Sequence, residues 1–412
     1  MEIINKINLR EFIVKEILLI FPFALYLSSI WSLEYFNLFL VLPAGYYVIT
    51  RSSLKVLDLN GFLILLYATL YYFLNIAALS FEETGYVGFI QQCFLPFLFY
   101  ILGKYLNRNY NDPIQKSYIV IIITFIFSIN PFLSNLVSII EFGYMSSRDV
   151  SLLVSGLVDR QLAATLMGSF FLMNMSFFPF IFINTNDRNE RNVKHMLIGL
   201  FVIGLIAVTN VSTRTGLLIS VISWLCAIFF NKAKTAFKIL GNTFLLILII
   251  ALFIVLSGAL DKILATDLYS RFINDEEDSL LTSRSNIWEE AFKIIFQTSD
   301  DNFIDKQLDI AEYAHNLWLD VALKAGNYPL VILLIITIKY LITLGKILTM
   351  KLYTPFFRIL MVCITVAFYS TFMVEPIMDG YFTLFCLFCF FFGFIDINYT
   401  IDNSKISSTK LS

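Results

Sequence analysis

Arg214, Arg284 and His315 are the side chains in this sequence best suited to act together on an anion. They fall in Ser212-Thr213-Arg214-Thr215-Gly216, in Ser283-Arg284-Ser285-Asn286-Ile287-Trp288, and in Ala314-His315-Asn316-Leu317-Trp318-Leu319-Asp320. A guanidinium binds phosphate oxygens through forked, charge-assisted hydrogen bonds and keeps its charge at any working pH. Arg214 opens an apolar segment, and a helix starting there adds free N–H groups and a positive dipole end. Two such cations suit a pyrophosphate. His315 is one of two histidines and the group outside the membrane suited to accept a proton near neutral pH. A helix N-terminus beside it would keep the ring neutral. Plainer roles stand beside these: an arginine at a helix start serves as an interfacial anchor, and a lone histidine as a hydrogen-bonded structural residue. Arg148 and Arg160 are further cations for the same ligand, or loop charges in solvent. His195 belongs with Arg188, Arg191 and Lys194 in a basic segment on the opposite face from His315, so no metal cluster is expected. No cofactor is expected either.

The setting of these residues is a membrane. A soluble chain of this length would carry about a quarter charged residues, whereas 15% are charged here and 58% are hydrophobic, with 43 Phe among 412 residues. Apolar runs near the ~20 residues needed to cross a bilayer recur throughout. Soluble classes are excluded, and no nucleic-acid partner is expected. Lys6, Arg10 and Lys15 precede the first apolar run and no small-residue cleavage site follows it, so no removable signal peptide is expected. Cys93, Cys226, Cys363, Cys386 and Cys389 all fall in apolar runs. They read as packing residues, including the Cys386/Cys389 pair.

The expected fold is all-α: a single polytopic integral membrane helix bundle over 1–412 with about twelve spans. These run approximately over 17–33, 35–50, 61–79, 87–103, 117–140, 161–183, 196–211, 216–231, 237–258, 328–346, 356–374 and 380–396. With the N-terminus cytoplasmic, every inside segment is basic, from Lys6 to Lys410. The short outside turns carry Glu34, Glu82, Glu83, Glu375 and Asp379 instead. One missed span would spoil that alternation, so both termini are expected in the cytoplasm of a cell whose inner membrane holds the chain. Pro96 interrupts the fourth span and Asn130-Pro131 the fifth, breaks that neighbouring helices can satisfy. No internal repeat supports an inverted-repeat transporter.

One long polar interruption remains, the extracytoplasmic loop 259–327 between spans nine and ten, read as a small periplasmic helical layer. Thr282 or Ser283 is placed to cap a helix on which Ile287, Trp288, Ala291, Ile294 and Ile295 recur at helical spacing. That helix would lie on the membrane or on the bundle. Arg284 is one turn before Trp288 and so near its apolar side. Leu317, Trp318, Val321, Ala322 and Ala325 form a second face, which Gly326-Asn327-Tyr328-Pro329 should end. With that break Lys339 falls mid-membrane, where a lysine is a functional candidate or snorkels to the surface.

Thr213-Arg214-Thr215-Gly216, Arg284 followed by Trp288 and Ala291, and His315-Asn316 followed by Leu319 and Gly326 together resemble the bacterial O-antigen polymerase and O-antigen ligase family. The resemblance covers about Ala207 to Lys346; the first half is similar only in hydropathy. Phe296 to Tyr313 lacks the glycine-rich turn often found before the family's histidine. The resemblance implies a metal-independent membrane glycosyltransferase with Arg214, Arg284 and His315 essential. Asn316, Trp288, Arg148 and Arg160 would then lie on the substrate side. The donor and acceptor would be glycans linked to undecaprenyl pyrophosphate. Polymerisation of repeat units into O-antigen or capsule is the expected activity. Transfer of the glycan to lipid A-core, as by a ligase, is the alternative, and a lipid-linked oligosaccharide flippase the alternative of another class. The partners implied are the bilayer, a chain-length regulator and a flippase.

The charge alternation is testable without any assay. In a cysteine-free variant, single cysteines at Glu83, Asn302 and Asp379 should react with an impermeant thiol reagent in intact spheroplasts. Cysteines at Arg108, Asn189 and Lys234 should react only after permeabilisation. Labelling of the Asn302 position solely from inside would overturn the topology and the chemistry built on it.

Overall fold

The protein is described here from a computed structural model, which covers residues 19–23, 26–27, 34–51, 58–75, 81–110, 112–145, 150–151, 161–162, 168–230, 239–245, 249, 280–296 and 314–396. The fold is all-α. Among the described residues, extended structure is confined to one antiparallel two-residue pairing, Val150–Ser151 with Gln161–Leu162. The helices in chain order are α1 Glu34–Arg51, α2 Leu59–Leu74, α3 Phe81–Asn109, α4 Pro113–Phe142, the single turn α5 Leu172–Met175, α6 Arg188–Asn210, α7 Arg214–Phe229, α8 Leu280–Phe296, α9 Leu317–Ala325, α10 Asn327–Thr349, α11 Pro355–Phe372, the single turn α12 Ile377–Gly380, and α13 Phe382–Phe394. Five stretches are long and apolar enough to cross a bilayer: Gly88–Asn109 within α3, and α4, α6, α10 and α11. They mark a membrane protein. Leu59–Leu74, Arg214–Phe229 and Phe382–Phe394 are apolar but shorter.

The sequence shows why several helices start where they do. The Asp58 carboxylate accepts the Gly61 N–H at 2.8 Å ahead of α2. Asp112 accepts from the Ile114 N–H at 3.0 Å, with Pro113 at the first helical position of α4. Asp187 accepts from Asn189 and Glu190 ahead of α6, and Thr354 from Phe357 ahead of α11 at 3.3 Å. Each satisfies a backbone donor that the first turn leaves open. These four helices all start at one end of the bundle.

That end is closed by a buried polar network. Lys104 on α3 forms an ion pair with Asp58 at 2.6 Å. Tyr100 donates its hydroxyl to Asp58 at 2.9 Å and lies 3.3 Å from Asp396 beyond α13. Asn107 donates to the Asp396 carbonyl at 2.6 Å. Lys116 on α4 reaches Asn107 and the Tyr353 hydroxyl. Nearby, α3 and α13 meet backbone to backbone. A Cβ on Gly103 would stand 2.0 Å from the Phe390 carbonyl oxygen, and one on Gly393 would stand 2.0 Å from that of Tyr100. Around this crossing lies a continuous apolar core rich in Phe and Tyr.

Four expectations change. Residues 161–183 are not one continuous span: Gln161–Leu162 are extended, and α5 is followed by a 3₁₀ turn at Phe178–Ile181. Asn174 explains part of this, spending its amide on Leu200 O at 3.1 Å and Ser128 Oγ at 3.3 Å, and Pro179 removes a helix donor. Conversely, α3 and α4 run unbroken through Pro96 and Pro131. α8 begins at Leu280, ahead of the expected caps Thr282 and Ser283; two leucines are strong helix formers and carry the helix back. Span boundaries also shift elsewhere, most at α6, which starts at Arg188 rather than 196 and so takes the basic segment with Arg191, Lys194 and His195 into the helix. Of the ninth expected span, only 239–245 and 249 are described, and there Thr243 accepts from Trp224 Nε1 at 2.9 Å.

The glycine crossing sets a clear expectation. Gly103→Val and Gly393→Val should each abolish recovery of folded protein in detergent, because backbone atoms cannot yield as a flexible side chain would. Gly199→Ala, where the added carbon meets nothing within 4 Å, should leave elution and melting unchanged. A normally folded Gly103→Val would disprove the contact.

Candidate functional site

The end opposite the buried network holds the candidate residues. His315 precedes α9 rather than lying inside it. The helix is capped by Asn316, whose Oδ1 accepts from the N–H groups of Trp318 at 3.2 Å and Leu319 at 3.3 Å. α9 ends at Gly326, which takes a φ of 81° and donates its N–H to Ala322 O at 3.0 Å. α10 then starts directly, so the break expected at Gly326 is present. Lys339 is half-buried in the middle of α10.

The turn before α9 is tied on both sides of the histidine. Asp320, 1% exposed, accepts the Ala314 N–H at 2.6 Å and the Asn316 N–H at 3.2 Å. Its own N–H returns to Asn316 O at 2.8 Å. The Ala314 carbonyl accepts from Trp288 Nε1 of α8 at 2.9 Å. Between these pinned neighbours His315 adopts a φ of 51°, a left-handed conformation that costs a non-glycine residue about 1–2 kcal/mol. The ring is half-buried, with Nδ1 inside.

α8 joins this turn through its apolar face. Ala291, Ile294 and Ile295 form a small core with Ala314, Leu319, Ala322 and Leu323, flanked by Ile287, Trp288 and Leu330. This face of α8 therefore packs on α9 and the start of α10. Its outer side carries Glu289 and Lys293, a fully solvated i,i+4 pair at 2.7 Å, a contact of small energetic weight. Arg284 lies on α8 one turn before Trp288, with its side chain outside the described residues. The loop residues Arg148 and Arg160 are also outside them.

Arg214 is the first residue of α7, half-buried with Nε inside. It follows a tight turn in which Ser212, at φ 54°, donates to Thr209 O at 3.1 Å and Thr213 to Val208 O at 3.0 Å. Thr213 presses on Gly168, where a Cβ would stand 2.6 Å from its side chain. Two residues on, the Phe170 ring lies 6.3 Å from Tyr381. Tyr381 sits beside Ser169 and Glu375. Met373, in the same connection, receives the Asn316 amide at 3.6 Å. Trp288, His315 and Asn316 thus share one cluster. Arg214 stands at the same end of the bundle, linked to them through residues 168–170 and the Met373–Tyr381 connection.

Sequence reasoning missed Asp320, Glu375 and Tyr381. Asp320 carried a signal, an acid four residues after an Asn cap and flanked by apolar Leu319 and Val321. Glu375, 3% exposed, reads in the sequence only as an outside charge. Among the described residues no group of three His, Cys, Asp or Glu is arranged to hold a metal ion. No protein-family model and no curated protein matches this chain.

The Trp288–Ala314 bond is the direct tie between α8 and the histidine turn. Trp288→Phe keeps the ring and removes the donor, which should cost about 1 kcal/mol locally. Amide exchange in the peptide covering Ala314–Asp320 should then quicken roughly fivefold. Unchanged exchange would mean that the turn is held without α8.

Proposed function

We propose that this chain is a membrane glycosyltransferase that polymerises oligosaccharide repeat units carried on undecaprenyl pyrophosphate, as the polymerases of the O-antigen polymerase and ligase family do. The observation that carries this reading is the Trp288–Ala314 bond. It joins the helix bearing Arg284 to the turn bearing His315, at the end of the bundle where α7 begins with Arg214. Two forked cations and one proton acceptor at a membrane surface suit transfer from a lipid pyrophosphate.

In this mechanism His315 takes the proton from an acceptor sugar hydroxyl. The oxygen attacks the anomeric carbon in line. The bond from that carbon to the pyrophosphate oxygen breaks, and its electron pair leaves with the lipid pyrophosphate. Arg214 and Arg284 stabilise the charge that grows there. Asn316 and Trp288 shape the acceptor side; Arg148 and Arg160 are assigned to the glycan or the pyrophosphate. No metal is required.

The topology proposed with it has twelve spans and two cytoplasmic termini, in the inner membrane. The site then belongs to the periplasmic layer, and a flippase and a chain-length regulator are the partners. O-antigen or capsule is the product. The modest loop favours polymerisation over ligation to lipid A-core. A flippase would line a central path with charge, whereas Lys104 and Asp58 close on each other at one end.

The test is substitution read on glycan ladders. His315→Ala should insert normally while polymerisation falls ~10²-fold or more. Arg214→Lys and Arg284→Lys should also fail and bind donor poorly, because a point ammonium cannot make the forked contacts. An active, well-expressed His315→Gln variant would end the proton-acceptor role.

A further inference from the structure

Among the described residues, the one buried carboxylate whose contacts reach both neighbours of His315 is not itself part of the chemistry above. We propose that Asp320 is the positioning residue for His315, resting on the reading of His315 as proton acceptor. Its oxygens draw in the backbone N–H groups of Ala314 and Asn316 and so fix the left-handed turn that presents the imidazole.

Three observations converge on this. The carboxylate is 1% exposed and spends one oxygen on each flank of the histidine, at 2.6 and 3.2 Å. The residue between the flanks holds a φ of 51°, a conformation that persists only where the surroundings over-determine it. Capping of α9 does not need Asp320, because Asn316 already accepts from Trp318 and Leu319. A carboxylate in the first turn is also favoured by the helix dipole, so the charge can stay buried where it is. A neutral amide could not do the same work. Its oxygen could accept one of the two N–H groups, but its NH₂ would face the other donor.

The test reads the histidine directly. His195→Gln leaves His315 as the sole histidine of the two in the chain. In that background Asp320→Asn should change the rate of His315 modification by diethyl pyrocarbonate at least ~5-fold, followed by mass spectrometry, with elution unchanged. On glycan ladders Asp320→Asn should lower kcat about tenfold or more, since small misplacement of a reacting group is costly, with KM held within about twofold. A double-mutant cycle gives a third reading. Glycine tolerates positive φ, so Asp320→Asn should lower the melting temperature less in a His315→Gly background than in the wild type. Equal losses in the two backgrounds, with an unchanged modification rate, would overturn the proposal and leave Asp320 a helix-stabilising residue. If Asp320→Asn does not accumulate, Asp320→Glu, which keeps the charge and shifts the oxygens by one methylene, should change the modification rate in the same way; no change overturns the proposal. Should the wild type make no polymer, the proposed function fails while the modification rate and the cycle still decide the positioning role.

Discussion

The crossing of α3 and α13 at Gly103 and Gly393 is the contact on which the rest of the bundle depends. Lipid tails are as apolar as leucine, so helices in a membrane gain little from hiding apolar faces from each other. Close backbone approach and polar ties must do that work. Here both occur at one place. Each glycine sits under a carbonyl of the other helix, at a spacing that leaves no room for a Cβ. One residue after Gly103, Lys104 reaches Asp58, and three residues after Gly393, Asp396 receives Asn107 and approaches Tyr100. α13 is thereby bound to the first half of the chain, and Lys116 with Tyr353 extends the tie to α4 and the approach to α11.

Fixing one end in this way leaves the other end to function. A buried ion pair is weak evidence for stability, because desolvation offsets attraction. Its value here is registry. Asp58 accepts at once from its own helix start, from Tyr100 and from Lys104, and a slip of one residue along α3 would break the set. With helix depth set there, the opposite ends of α6, α7, α9 and α11 meet at defined heights. That is the condition for Arg214, on one helix start, to stand at the level of the turn before another.

Much of this was legible in the sequence where periodicity or a cap carried the signal. The helices over 34–51, 59–74, 188–210 and 355–372 follow apolar runs bounded by charge, and the Gly326 break follows from a residue that alone accepts φ near 81° readily. The apolar face of α8 also follows from its spacing, down to Trp288 as a contact residue. What failed was long-range. Nothing near Asn174 in the chain says that its amide will be spent on Leu200 and Ser128, so a broken segment read as a span. Glu375 read as an outside charge and Asp320 was passed over, because burial of a carboxylate depends on donors supplied by the fold. The roles proposed for Arg214, Arg284 and His315 were read from residue type and from short motifs.

Backbone strain is distributed just as unevenly as the polar ties. Among the described residues, the non-glycine positions with positive φ are Met145, Ser212 and His315. None is at the end closed by the buried network. Each is held by a specific bond close by. Met145 donates its N–H to Asn210 Oδ1 at 2.8 Å, and Asn210 is itself fixed by donating to Asn135 at 3.0 Å. Ser212 is closed by its bond to Thr209 two residues before Arg214, and the flanks of His315 are closed by Asp320. Helix starts in this protein can be made without strain, as Asp58, Asp112 and Asp187 demonstrate. The left-handed turns are therefore not a by-product of packing short connections. They are conformations that the chain maintains, with buried amides and a buried carboxylate, at the end where Arg214 and His315 stand. Strain of that kind is kept where it sets the aim of a side chain. The same feature therefore argues for a preorganised surface at this end of the molecule, independently of the chemistry proposed for it.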